Sequence, residues 1–99
     1  YKRQAYQRAL EHELSLRGIA FEAQKVCAVS YKGLLFDDAY RLDLFVENQL
    51  VVELKAIDAL ADVHEAQVLT YLRFSECRVG LLINFRSRLL KDGLQRLSL

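Results

Sequence analysis

Asp43, Glu53 and Lys55 are ionisable residues set in segments that otherwise read as apolar strands, YRLDLFV over 40–46 and LVVELK over 50–55. An ionised carboxylate in such a segment costs several kcal/mol unless it is paired or binds a metal. Glu53 and Lys55 lie two residues apart, so a strand presents both on one face. If Asp43 stands opposite Glu53 across a hairpin, their Cβ atoms come within about 4.5–5.5 Å. Two converging carboxylates suit one divalent cation, and magnesium takes one or two carboxylates with waters and a substrate phosphate. The same residues also read as a cross-strand salt-bridge network in which Arg41 and Lys55 neutralise Asp43 and Glu53, with no ligand.

Those two strands must be positioned by their neighbours. Residues 2–17 read as a helix, with Tyr6, Leu10 and Leu14 at i, i+4 and i+8, and Gly18 behind a basic last turn as its C-terminal stop. Residues 20–30 read as a strand with Phe21, Ala23, Lys25, Cys27 and Val29 on one face, and Lys32-Gly33 as a turn. Residues 39–46 read as the second strand, with Tyr40, Leu42, Leu44 and Val46 on one face and Arg41, Asp43 and Phe45 on the other. The break Glu47-Asn48-Gln49 joins it to a third strand over 50–56 in an antiparallel hairpin. Register decides whether the site exists. A two-residue loop would set Asp43 opposite Leu54 and turn Glu53 away. A three-residue connection, Glu47 to Gln49, sets Asp43 opposite Glu53 and Arg41 opposite Lys55.

Residues 62–75 read as a helix, with Asp62 as N-cap and Glu65 three residues on. Cys77–Phe85 carries the apolar run of a strand buried on both faces. Residues 88–97 read as a final short helix with Leu89, Leu90, Leu94 and Leu97 on its apolar side. The order is α-β-β-β-α-β-α, and the crossover helix predicts that the fourth strand joins the sheet parallel to a neighbour.

Asp43, nine residues, then Glu53-x-Lys55, resembles the signature of the PD-(D/E)XK nuclease superfamily, whose core has the same α-β-β-β-α-β order. Gln67-x-x-x-Tyr71 strengthens the likeness, because RecB-like members carry a Q-x-x-x-Y helix in that place, and i, i+4 spacing puts both side chains on one face. Residues 40–73, with GLLINF at 80–85, LLKDGLQR at 89–96 and YQRALEHELSLRGI at 6–19, resemble the small prokaryotic proteins called the GxxExxY family, with Tyr6 as the closing tyrosine. The resemblance implies a restriction-endonuclease-like α/β fold, a mixed sheet flanked by helices with a C-terminal helix, and a metal-dependent nuclease. It implies Mg2+ or Mn2+ on Asp43, Glu53 and the Leu54 carbonyl, Lys55 orienting water, and Gln67 and Tyr71 positioning water or backbone. The chain departs from the family name at the glutamate position, which falls on Arg3, a side chain that cannot ligate a cation; Glu13 is not marked as its substitute. A domain that kept the fold as a binding or assembly module is the alternative.

Length and composition agree with one small domain over residues 1–99: 53% of residues are hydrophobic and 27% charged, too mixed for a disordered tail. The absence of methionine suggests that part of the first helix is missing. Six basic groups face three acidic ones through residue 36, two face eight over 37–65, and six face two thereafter. An acidic centre between basic flanks suits a cation and a polyanion together, and equally an ordinary mixed surface. Arg86, Arg88 and Lys91, with Arg96, are candidates to follow a nucleic-acid backbone. Cys27 and Cys77 make neither a disulfide framework nor a zinc pattern, which suggests a reducing, cytoplasmic setting. No apolar run reaches the roughly 18–20 residues of a membrane span. His64 reads as a helix-start hydrogen bonder or a phosphate contact, and Asp37-Asp38 as a solvated turn or an acidic pair. So small a core suggests a homodimer.

Overall fold

The computed structural model describes residues 2–99. Helix α1, Lys2–Leu16, stops where the sequence predicts. Gly18 takes φ +68°, Ile19 N–H donates to Leu14 O (2.9 Å) and Gly18 N–H to Ser15 O (3.1 Å). That pair of bonds closes a helix on a left-handed residue. Strands β1 (Phe21–Tyr31), β2 (Leu34–Val46) and β3 (Leu50–Lys55) follow, then α2 (Asp62–Ser75), β4 (Val79–Asn84), the single turn α3 (Leu90–Gly93) and β5 (Leu94–Ser98).

The sheet has order β1-β2-β3-β4-β5. The β3–β4 pair is parallel, as the α2 crossover requires, and the other neighbours are antiparallel. Leu44, Val46, Val52 and Leu54 form one buried cluster with Leu10 and Leu14 of α1 against it. Leu42, Phe45, Val51 and Leu82 form another with Val68 and Leu72 of α2. The two helices therefore cover opposite faces. Gly80 lets α2 lie close: a Cβ there would come 2.8 Å from Val68 Cγ1 and 3.2 Å from Leu72 Cδ2.

Several elements differ from the sequence reading. The last helix over 88–97 is one turn followed by β5, because Gln95 and Leu97 are half-buried while Leu94, Arg96 and Ser98 are exposed, a period of two. Gly93 permits the sharp transition, since a Cβ there would collide with the Asn84 carbonyl. Strand β2 begins at Leu34, five residues early, and with β1 makes a long hairpin around Lys32 and Gly33, both at positive φ. The N-cap of α2 is Ala61, not Asp62. His64 Nδ1 accepts the Ala61 N–H (2.8 Å), while His64 N–H donates to Ala61 O (2.9 Å). Asp62 and Glu65 instead favour the first turn electrostatically.

The alternation in β2 is also broken. Leu42 packs in the cluster under α2, whereas Leu44 and Val46 pack in the cluster under α1. On β1 the same change separates Phe21 from Cys27, and Gln24 between them has φ +51°. The change of face falls at Asp43.

Candidate active site

The connection between β2 and β3 is the three-residue turn Glu47–Gln49, with Glu47 and Asn48 at positive φ. The pairs are Val46↔Leu50, Phe45↔Val51 and Leu44↔Val52, and the next positions in that register are Asp43 and Glu53. There the ladder stops. Strand β2 stays with β1 through Arg41↔Val26, and β3 stays with β4 through Lys55↔Asn84. The sheet forks, and both carboxylates sit in the fork.

Side chains replace the missing ladder bonds. Asp43 N–H donates to Glu53 Oε1 (3.2 Å) and Leu54 N–H donates to Asp43 Oδ2 (2.9 Å). Both acids are buried, at 8% and 4% exposure. The cost of burying them is reduced by these amide donors and by Arg3, whose Nη1 lies 3.0 Å from Asp43 Oδ1. Among the described residues, Arg41 and Lys55 make no ion pair with either acid, so the alternative cross-strand salt-bridge network is not formed, and Asp43 has one contact from α1 instead. Burial, and then the Asp43 charge, push the Glu53 carboxyl up from 4.5 to about 7, against the opposing pull of the Asp43 N–H, Lys55 and Arg3.

Lys55 projects toward α2, where Nζ donates to Gln67 Oε1 (3.1 Å) and Gln67 Nε2 donates to the Tyr71 hydroxyl (2.9 Å). Burial, with the Glu53 charge, raises the Tyr71 phenol above its usual value. The i, i+4 pair read from the sequence thus forms a relay to the ammonium. Phe85 N–H donates to Lys55 O (2.9 Å) on the β4 side. The N–H and C=O of one residue face the same neighbour and alternate along a strand. The Leu54 carbonyl, like its N–H, therefore faces the fork.

A cleft of about 770 Å³ opens over the fork, lined among others by Arg3, Arg41, Asp43, Glu53, Lys55 and Tyr71. Arg86 also lines it and pairs with Asp58 (2.9 Å). Arg88 and Lys91 are exposed and stand outside this lining. His64 is used as a cap.

Three supporting residues escaped the sequence reading. Gln7, the one buried residue of α1, donates to Asp43 O (3.4 Å) and accepts from Gln24 Nε2 (3.1 Å). Asn84 takes the Ile57 N–H on Oδ1 (3.1 Å) and donates from Nδ2 to Ile57 O (2.9 Å), pinning the chain just after β3. An asparagine inside the run LLINF is a signal that could have marked it; Gln7 and Gln24 carry no such local mark.

A family model for the PD-(D/E)XK nuclease superfamily matches residues 1–97. The chain belongs to that superfamily. Nucleases of this superfamily generally use divalent metals. No curated protein and no solved structure matches the chain significantly. Among the described residues, no helix is long and apolar enough to cross a membrane.

The donors in this PD-(D/E)XK fork are hard oxygens: two carboxylates and a backbone carbonyl. Among the described residues no group of three or more His, Cys, Asp or Glu gathers. The set suits magnesium or manganese, which complete their shells with water and substrate oxygens.

Proposed function

We propose that the protein is a metal-dependent nuclease that hydrolyses phosphodiester bonds of a nucleic acid lying in the cleft over Asp43 and Glu53. The observation that carries the reading is the convergence of the two carboxylates in the sheet fork, beside a lysine held by Gln67. Asp43, Glu53 and the Leu54 carbonyl would hold Mg2+ or Mn2+. Such an ion lowers the pKa of bound water and polarises the scissile phosphate. Lys55 orients the attacking water and offsets charge gathering on the phosphate. Gln67 fixes the Lys55 ammonium, and Tyr71 fixes Gln67, so the relay sets the geometry on which rate depends. The likeness to the GxxExxY proteins supports the same role.

One contact favours a second reading. Arg3 places a positive charge on Asp43 Oδ1, on the oxygen a cation would use. A binding module that kept the fold and lost the chemistry would tolerate that arrangement.

Cleavage of single- and double-stranded DNA and RNA, with magnesium, manganese or EDTA, decides between them. A nuclease cuts at least one substrate in a metal-dependent way. Lys55→Ala then removes cleavage and leaves the metal-induced thermal shift. No cleavage together with no metal-induced shift overturns the nuclease reading.

A further inference from the structure

Three cavities adjoin one another through shared lining residues. The cleft over the acid pair shares Arg3, Gln24 and Arg41 with a polar groove of about 490 Å³ along α1. At its other end it shares Tyr71 with an apolar pocket of about 390 Å³ between α2 and the β1–β2 hairpin.

The two ends differ in chemistry. The α1 groove brings together Arg3, Arg8 and Arg41, against the single acid Glu11. Among the described residues neither Arg8 nor Arg41 is in an ion pair, and both are exposed. Gln4 also lines this groove, while Gln7 and Gln24 are engaged with each other. The far pocket is lined by Phe36, Tyr40, Tyr71 and Phe74. Tyr40 stacks on Tyr71 with centroids 5.0 Å apart and lies 5.9 Å from Phe74, which remains 52% exposed. Gln67 and Thr70 supply polar tips at its rim.

We infer that these adjoining cavities together form a binding site for single-stranded nucleic acid, with the backbone of one strand in the Arg8–Arg41 groove and an unstacked base against Tyr40 and Phe74. The inference rests on the nuclease reading for the position of the scissile bond between the two ends. The physical reason is the pairing of features. A one-sided cationic groove tracks one backbone, and an aromatic platform accepts a base only after it has left its partner. In a duplex the base faces are stacked on their neighbours, so the aromatic end would go unused. Asp37 and Asp38, on the hairpin beside the pocket, disfavour a second phosphate backbone on that side.

The test is binding in EDTA, where no cleavage occurs, of a fluorescent single-stranded oligonucleotide and of the duplex of the same sequence. The wild-type protein should prefer the single strand. Phe74→Ala should weaken single-strand binding about tenfold, in the range of one lost base stack. Phe74→Tyr should restore it. Placing an abasic residue at successive positions should reproduce the loss at one of them. Arg8→Gln with Arg41→Gln should lower the salt slope by about 1.4, at about 0.7 for each single-strand phosphate contact. Arg88→Gln with Lys91→Gln should leave affinity unchanged. Equal or tighter duplex binding, or an affinity indifferent to Phe74→Ala and to the abasic residue, overturns the inference. Strand-selective binding with neither cleavage under any metal nor a metal-induced thermal shift refutes the nuclease reading and leaves this site standing. Cleavage confined to duplex does the reverse.

Discussion

The two long helices cover opposite faces of one sheet by different means. Helix α2 buries Val68 and Leu72 completely. The buried residue of α1 is a glutamine, and its polar attachment runs through the site, Arg3 to the Asp43 carboxylate and Gln7 to the Asp43 carbonyl, beside the Tyr6–Phe85 stack at 4.5 Å and the partly buried Leu10 and Leu14. One helix is held by hydrophobic burial and presents site groups along its edge. The other is held substantially by the site groups themselves. What binds in the fork should therefore alter the docking of α1 far more than that of α2.

The largest expected effect lies on the α2 side. Leu72→Ala removes a fully buried leucine and should cost roughly 3–5 kcal/mol, visible as a large drop in the denaturation midpoint. Leu10→Ala, half-buried on α1, should cost less than half as much. Equal costs would remove the contrast between the helices.

Next comes metal. Near 100 Kd, magnesium or manganese should stabilise the wild-type protein by about 2.7 kcal/mol, read as a thermal shift. Glu53→Gln should lose most of that shift. A full shift in the variant would move the ligand elsewhere.

The pH dependence of the metal-free protein is comparable, on the order of 3 kcal/mol. The Glu53 carboxyl is raised from 4.5 to about 7 in the folded state. Its contribution is present in full below about 4.5 and is lost as pH rises through about 7. Denaturation in EDTA should show stability falling over that window, and Glu53→Gln should flatten the fall.

Gln7→Ala leaves the Asp43 carbonyl and Gln24 without their partner and should cost about 1–2 kcal/mol. Arg3→Gln breaks a partly exposed ion pair and should cost less than about 1 kcal/mol. It also frees Asp43 Oδ1, so the metal concentration for half-maximal thermal shift should fall. An unchanged midpoint would mean that Arg3 does not compete with the cation.

The sequence reading succeeded where the signal is local. Alternation in 50–55, the apolar run of β4 and the Gly18 stop placed the sheet, while the break Glu47-Asn48-Gln49 left the register of the acid pair open between a two-residue and a three-residue connection. It failed where two local signals compete. Leu90, Leu94 and Leu97 suit a helix as spacing, but β4 needed a partner on its free edge, and the pairing of Leu97 with Gly80 prevailed. The regular alternation of β2 was lost at Asp43 through a left-handed residue on the neighbouring strand, which no pattern within β2 announces. Arg3 and Gln7 lie 40 and 36 residues from Asp43, and their roles exist only through the docking of α1.

The exchange of ladder bonds for carboxylate bonds at the fork has a dynamic side. Elsewhere in the sheet, an amide proton bonded to a neighbouring strand reaches solvent only when strands separate. The amides of Asp43 and Leu54 are instead held by Glu53 Oε1 and Asp43 Oδ2, so a rotation about side-chain torsions exposes them with the strands still paired around them. Their hydrogen exchange should be governed by a local opening well below the global unfolding free energy. These two amides make an internal gauge of the fork, one that slows or quickens as the carboxylates change partners while the rest of the sheet keeps its own pace.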